Sequence, residues 1–404
     1  MRMSKKTVLP KLRFPEFRNN GEWEKKTLEQ ISSSIFDGTH QTPHYIDKGV
    51  PFFSVENIVS GNKNKFISKT DHLIATNKNR PEKGDILITR IGNIGFSVIV
   101  DWDYEFSIYV TLAVIKQSEM FNSYFLNSFL QSDIYQKEIK SKSLLNAVPC
   151  KINMEDLRKT TIFLPLDEVE QRKIADCFTS LDDIITAEDK KLALLKTYKK
   201  GLMQKLFPAE GETVPEWRFS EFRDSGKWEE KSLSILCDMQ AGKFVSASDI
   251  HDKREKNMCP CYGGNGQRGY TYSSTHSGEY PIIGRQGALC GNVIYVTGDF
   301  HATEHAVVAT VKSHVYAKWL YYLLITLNLN QYATGQAQPG LSVQVLEKTA
   351  ICAPRNEREQ KKIADCLSSL DDHIAAQTEK IETLKLHKKG LMQGLFPSAQ
   401  EVGA

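Results

Sequence analysis

A 39-residue block occurs twice in this 404-residue chain, and that repetition restricts its possible folds more than any other feature. EQRKIADCFTSLDDIITAEDKKLALLKTYKKGLMQKLFP, from Glu170 to Pro208, aligns without gaps on EQKKIADCLSSLDDHIAAQTEKIETLKLHKKGLMQGLFP, from Glu359 to Pro397, with 25 identities at a constant offset of 189. A second pair precedes it: PKLRFPEFRNNGEWEKKTL (Pro10 to Leu28) and PEWRFSEFRDSGKWEEKSL (Pro215 to Leu233), at an offset of 205. Start box, variable segment and helix box thus follow one another twice, the second variable segment being 16 residues shorter (205 minus 189). A long-period repeat marks duplicated structural units. Between Leu28 and Glu170, and between Leu233 and Glu359, no register aligns. The frame repeats, and what it carries differs.

The helix boxes hold a heptad seam. In the first copy Ile174, Phe178, Leu181, Ile185, Leu192, Leu195, Leu202 and Leu206 fall on the a and d positions, with Glu188 and Lys199 as polar exceptions. The second gives Ile363, Leu367, Leu370, Ile374, Ile381, Leu384, Leu391 and Leu395, with Gln377 and Lys388 at the equivalent places. Each helix would be roughly 50 Å long, ending before Pro208 and Pro397, since proline cannot continue the hydrogen-bond ladder. Two seams in one chain can bury each other antiparallel about a pseudo-twofold axis. With its centre near Glu188 and Gln377, that register brings Lys199 toward Asp365 and Lys388 toward Asp176. The alternative is that each helix belongs to its own half or dimerises between chains.

Between the boxes lie short apolar runs broken by glycine: GVPFFSV, GDILITRIGNIGFSVIV and YVTLAVI, then YPIIGRQGALCGNVIYV and HAVVATV. These are strand-and-turn signatures. Each set precedes a helical stretch, SYFLNSFLQSDIYQKEI or AKWLYYLLITLNLNQYA. The expected fold class is α+β: two mixed α/β domains separated by two long antiparallel coiled-coil helices. The segments are 1–165, 166–208 (central helix), 209–354 and 355–404 (C-terminal helix and tail). Apolar residues at 41% give enough core for both.

Function classes can be excluded from what is missing. No run approaches the ~18 apolar residues of a membrane span, and MRMSKKTVLPKLRF lacks a signal-peptide core, so a cytoplasmic protein without a membrane is expected. Eight scattered cysteines do not form a disulfide framework, and the C-P-C pair Cys259 and Cys261 has no second pair to complete a zinc site. There is no G-x-x-x-x-G-K-[ST] loop for a nucleotide, and no N-P-P-Y or D-P-P-Y segment of the amino-methyltransferase kind. No cofactor or metal is expected in this chain. Residues 1–165 carry 23 basic and 18 acidic side chains, and residues 209–354 carry 13 and 15. A chain that clamps DNA alone usually shows a basic face; if DNA is the ligand, partner subunits would supply much of the phosphate binding.

The helix boxes with E-Q-x-K-I-A-D-C and K-K-G-L-M-Q-x-L-F-P, each preceded by an apolar stretch (TTIFLPLDE, TAICAPRNE), resemble those of type I restriction-modification specificity subunits. So does YGGNGQRGYTYSSTHSGEYPIIGRQGALCGNVIYV, from Tyr262 to Val296, which is similar to one class of target-recognition domain; KGDILITRIGNIG is its looser counterpart. The resemblance implies a non-catalytic chain that reads a bipartite site in double-stranded DNA, one half-site per domain. It also implies two methyltransferase subunits and restriction/translocase subunits as partners, with S-adenosylmethionine, ATP and Mg on those partners. A silent or orphan cassette without a partner is a further alternative.

Side chains suited to base edges or phosphates are then candidates. In the first domain they are His40, Gln41, Thr42 and His44 of DGTHQTPHY, Lys63, Asn64 and Lys65 of GNKNKF, and Arg90 and Asn93 beside the glycine turn. In the second they are Tyr262, Asn265, Gln267 and Arg268, then Arg285 and Gln286, then His301, Thr303 and His305, and Gln336 and Gln338 of YATGQAQPG. Two motifs admit other readings. G-x-G-x-x-G at Gly264, Gly266 and Gly269 is the dinucleotide pattern, but it runs into the strand-like YTYSST where a helix is required. HATEH matches H-x-x-E-H, a zinc-peptidase pattern that needs both histidines on one helix face. Its flanks are β-like, so a zinc-dependent hydrolase is the alternative from another functional class.

Overall fold

The computed structural model describes residues 8–287, 289–335 and 339–397. The chain forms two compact units: residues 1–189 with 380–404, and residues 190–379. Both long helices are present, Glu168–Leu206 and Glu357–Leu395, 39 residues each. The unit boundaries cut both of them, at 189/190 and at 379/380.

In the first unit, Glu24–Thr27 pairs antiparallel with Thr161–Leu164. A four-stranded antiparallel sheet runs in the order Ile35–Asp37, Leu112–Ile115, Ile86–Thr89, Ser97–Ile99. A smaller sheet joins Tyr45–Ile46, Phe66–Ile67, Val50–Phe53 and Ser107–Ile108, its last pair parallel. The stretch SYFLNSFLQSDIYQKEI forms two helices, Ser123–Leu130 and Asp133–Ser141. Ser132 divides them: its hydroxyl accepts from the Tyr135 amide and caps the second helix. Phe125, Leu126, Phe129 and Leu130 of the first helix pack on Ile86, Ile88, Ala113 and Ile115 of the sheet.

In the second unit, Glu229–Ser232 pairs with Ala350–Ala353 as in the first. The main sheet has six strands, in the order Cys237–Ala241, Ala306–Val311, His276–Gly284, Val293–Ala302, Cys259–Gly263, Gly266–Thr271. Helix Ala317–Thr326 covers it with Trp319, Leu320 and Leu323, which join Ile283, Val307 and Ala309 in one core.

Each unit is closed by the far end of the other copy's helix box. The first start box docks on the second helix through Leu12 N–H to Gly394 O, 2.8 Å; the second docks on the first helix through Trp217 N–H to Lys205 O, 2.9 Å. Within the first unit, Phe178 stacks on Phe396 at 5.5 Å, Lys388 Nζ lies 2.6 Å from Asp182 Oδ1, and Lys380 pairs with Glu188. Positions rise along one helix as they fall along the other, so the pairing is antiparallel. Within the second unit Lys199 pairs with Asp371, and Leu206 shares a core with Ile363 and Leu367.

Two ion pairs differ from those heptad counting gives: Lys199 meets Asp371, not Asp365, and Lys388 meets Asp182, not Asp176, while Glu188 pairs with Lys380, within a turn of Gln377. Side chains lean toward the N-terminus of their own helix, which in an antiparallel pair carries such contacts past the residue directly opposite. Aromatic rings pack at the helix ends. Phe396 is held among the rings of Trp23, Phe125, Phe129 and Phe178, and Phe207 between Trp228 and Trp319. The seam itself follows the heptads. Leu181, Ile185, Glu188, Leu192, Leu195, Lys199 and Leu202 are shielded, while residues 189–191 and 196–198 are exposed. On the second helix Leu370, Ile374, Gln377, Ile381, Leu384 and Leu391 are shielded likewise, with exposed residues between them.

Candidate nucleic-acid interface

One edge of each sheet gathers four loops, and the backbone hydrogen bonds that hold them are the same in both units. In the first, Gly38 N–H donates to Leu112 O (3.3 Å), Thr39 to Ile108 O (3.1 Å), Arg90 to Thr111 O (2.9 Å), Gly92 to Cys150 O (2.8 Å), Gly95 to Thr89 O (2.9 Å) and Ile152 to Arg90 O (2.9 Å). In the second, Gly242 donates to Ala306 O (2.9 Å), Lys243 to Ala302 O (2.8 Å), Arg285 to His305 O (2.9 Å), Gly287 to Pro339 O (3.1 Å), Gly291 to Gly284 O (2.8 Å) and Leu341 to Arg285 O (2.9 Å). The bridges Ile91 to Lys151 and Leu144 to Lys151 match Gln286 to Gly340 and Thr334 to Gly340. Gly38 and Gly242 are required by close approach: a Cβ at either would lie 2.1 Å from a carbonyl oxygen, that of Ile108 or Ala302. The segments that show no register in sequence therefore share one frame and differ in the side chains mounted on it.

On the first edge, Asp37 Oδ2 accepts from Arg90 (3.2 Å) and lies 3.1 Å from His40 Nε2. Arg90 also donates to Val110 O at 2.8 Å and is only 7% exposed. It ties two loops of the edge together. His40, Gln41, Thr42, His44 and Asn93 are exposed. Lys65 pairs with Glu56 and lies over the exposed Tyr45 ring, at the end of the same loop. Lys63 lies instead over Trp102 and Tyr104, and Asn64 Oδ1 accepts from the buried Asn57 amide at 2.9 Å, so both serve the smaller sheet. Tyr109, which the sequence did not single out, bridges to Thr39 and places its hydroxyl 3.4 Å from Thr42 Oγ1.

On the second edge, GGNGQRG is a tight hairpin. Gly263 pairs with Gly266, and the chain continues into strand Gly266–Thr271. With strands on both sides and no helix to follow, it is not a dinucleotide loop. Asn265, Gln267 and Arg268 are exposed and Tyr262 half-buried against Phe300; burial raises the Tyr262 phenol and keeps it a hydrogen-bond donor. The hairpin tip rests on the neighbouring loops, for a Cβ at Gly264 would lie 2.7 Å from Gln286 O and 3.2 Å from His305 O. Gly264→Ala is thus expected to cost the second unit about 1–3 kcal/mol and leave the first unchanged, as read by hydrogen exchange. A cost below about 0.5 kcal/mol, the range of a featureless surface site, would show that the loops separate freely. Arg285 and Gln286 are half-buried beside this contact; Gln336 and Gln338 lie outside the described residues.

HATEH turns between two strands. Val293–Ala302 ends in it and Ala306–Val311 leaves it, with Ala306 N–H closing on Thr303 O at 2.9 Å. His301 is 4% exposed; its Nε2 lies 3.0 Å from Lys243 O and its Nδ1 3.0 Å from Ser273 Oγ, so both ring nitrogens are engaged. Thr303 is fully buried, and His305 Nε2 lies 3.3 Å from Glu304 Oε1 at the surface. His301 and Thr303 are thus held inside the fold, and of the three candidates in this segment His305 is the one at the surface. Without a helix the two histidines do not converge, and among the described residues no three His, Cys, Asp or Glu side chains cluster to hold a metal. Burial also raises the Cys259 and Cys261 thiols. Among the described residues no helix is long and apolar enough to cross a membrane.

Comparison with known proteins supplies the class. A family model described as the type I restriction modification DNA specificity domain matches residues 20–197 and 225–386. The specificity subunit of the Escherichia coli type I restriction enzyme EcoprrI is 42% identical over 167 residues, 41% of this chain and 38% of that protein, so this match spans well under half of the relative. The MjaVIII specificity subunit of Methanocaldococcus jannaschii is 24% identical across 86% of this chain and 85% of its own length. Among solved structures, a type I restriction-modification S subunit from M. genitalium shares the fold with a TM-score of 0.67 at 17% identity, covering 97% of this chain and 100% of that one. A chain from a structure of type I R-M complex assembly and conformational transition gives 0.57 at 16%, covering 93% and 98%. With most of the chain inside the two matched spans, the chain belongs to the type I restriction modification DNA specificity family.

Proposed function

We propose that this chain is the sequence-reading scaffold of a type I restriction-modification complex, carries no catalysis of its own, and reads a bipartite DNA site with one half-site per unit. The observation that carries this reading is the shared loop frame with largely unlike side chains: six equivalent backbone hydrogen bonds hold Thr39 and Thr111 on one edge and Lys243 and His305 on the other, around an arginine, Arg90 or Arg285, that both edges keep. A common frame fixes how DNA docks, and different side chains select different bases. The even charge balance of the chain fits an assembly in which two methyltransferase subunits and restriction/translocase subunits add phosphate contacts. S-adenosylmethionine, ATP and Mg belong on those partners. Sequencing methylated adenines in cells that express the chain with its partner genes should reveal one asymmetric motif of two short half-sites around unspecified base pairs. A continuous motif would contradict the two-reader arrangement.

A further inference from the structure

The first edge carries a feature that hydrogen bonding to bases does not use. Its fourth loop, between helix Asp133–Ser141 and Lys151, exposes three apolar side chains: Leu144 at 49%, Leu145 at 57% and Val148 at 100%. The loop is nonetheless well held. Leu144 N–H donates to Lys151 O (2.7 Å), Ala147 to Leu144 O (3.3 Å), and Ser143 Oγ to Ile139 O (2.6 Å), while Gly92 N–H donates to Cys150 O and Cys150 Sγ lies 2.8 Å from Gly92 O. It is thus tied to the Arg90–Gly92 turn at the centre of the edge. Exposed Lys140, in the last turn of the helix before it, and half-buried Lys151 at its end flank the loop, and neither has a carboxylate partner among the described residues. The equivalent stretch of the second unit, TGQAQPG, is polar in sequence.

We propose that this loop reads thymine methyl groups in the major groove, an inference that rests on the DNA-reading function above. Water is a poor neighbour for three apolar side chains held on a rigid loop, and the C5-methyl of thymine is the apolar group that a base edge offers there. The flanking lysines complement phosphates on either side of such a contact. A protein partner fits less well, since three side chains cover far less than the roughly 800 Å² per side of a stable protein interface. The polar counterpart in the second unit leaves that half-site to be read by hydrogen bonds.

The test uses the full chain in complex with its methyltransferase and a duplex carrying the methylated motif, with each thymine of the first unit's half-site replaced in turn by deoxyuridine. Binding should weaken about fourfold for each methyl in contact with the loop, the cost of uncovering one carbon. L145A/V148A, whose side chains lie outside the core, should weaken the thymine duplex and no longer distinguish it from the uracil duplex at those positions. If the complex prefers the motif to a scrambled duplex yet no uracil replacement matters, or if the double variant still discriminates, the loop assignment is overturned while sequence reading stands. If the complex shows no preference for the motif, the reading on which the assignment rests fails, and the assignment with it.

Discussion

Glu170→Ala is expected to lower the stability of the first unit by about 3–5 kcal/mol, and Glu359→Ala to do the same to the second. Glu170 is fully buried and takes both Arg13 Nε and a terminal Arg13 nitrogen at 2.7 Å, one on each oxygen, with Trp23 Nε1 at 3.3 Å. Glu359 repeats this with Arg218, at 2.7 Å for both bonds, and Trp228 Nε1 at 3.1 Å. The pair joins the start box to the first turn of its own long helix. Removing the carboxylate leaves a guanidinium with little water and no counter-charge, which is why the cost far exceeds that of an exposed pair such as Lys159 and Glu155. A glutamine at either position keeps one acceptor oxygen and should cost less than alanine. Hydrogen exchange read by mass spectrometry assigns the loss to one unit. A change under about 1 kcal/mol, the range of exposed pairs, would mean that the start box is not held by this contact.

That contact also shows what a sequence of this kind discloses. Arg13, Trp23 and Glu170 recur as Arg218, Trp228 and Glu359 because the frame needs those side chains, so the repeat made them visible. The seam was legible for the same reason, as were the strands Ile86–Thr89, Leu112–Ile115 and Ala306–Val311, whose buried faces demand apolar runs. The acidic partners of Lys199 and Lys388 were not, because the acid a long side chain meets depends on how it leans along the facing helix, which heptad counting does not contain. The equivalence of the two loop edges was hidden for a different reason. Backbone N–H and C=O groups build it, and these ask nothing of side-chain identity except where Gly38 and Gly242 meet a carbonyl. The fate of His301 was likewise unreadable, since its partners Lys243 O and Ser273 Oγ lie 58 and 28 residues away. Tyr109 reaches the edge through a bridge to Thr39 that no local pattern announces.

The central claim, that each unit reads its own half-site, predicts a complete and one-sided change of specificity. The four loops of the first edge all lie within residues 29–165, and the hydrogen bonds that join them are internal to the first unit. The start box, both long helices and the whole second edge lie outside that segment, so an exchange leaves in place the Arg13–Glu170 contact and the Phe178–Phe396 stack, with Phe125 and Phe129 against Phe396 supplied by the incoming segment. Exchange of residues 29–165 for the corresponding segment of a related subunit, followed by sequencing of methylated adenines, is the most direct measurement. One half-site should be replaced entirely, with the other half-site and the gap retained. Both half-sites changing together, or neither, would contradict the account.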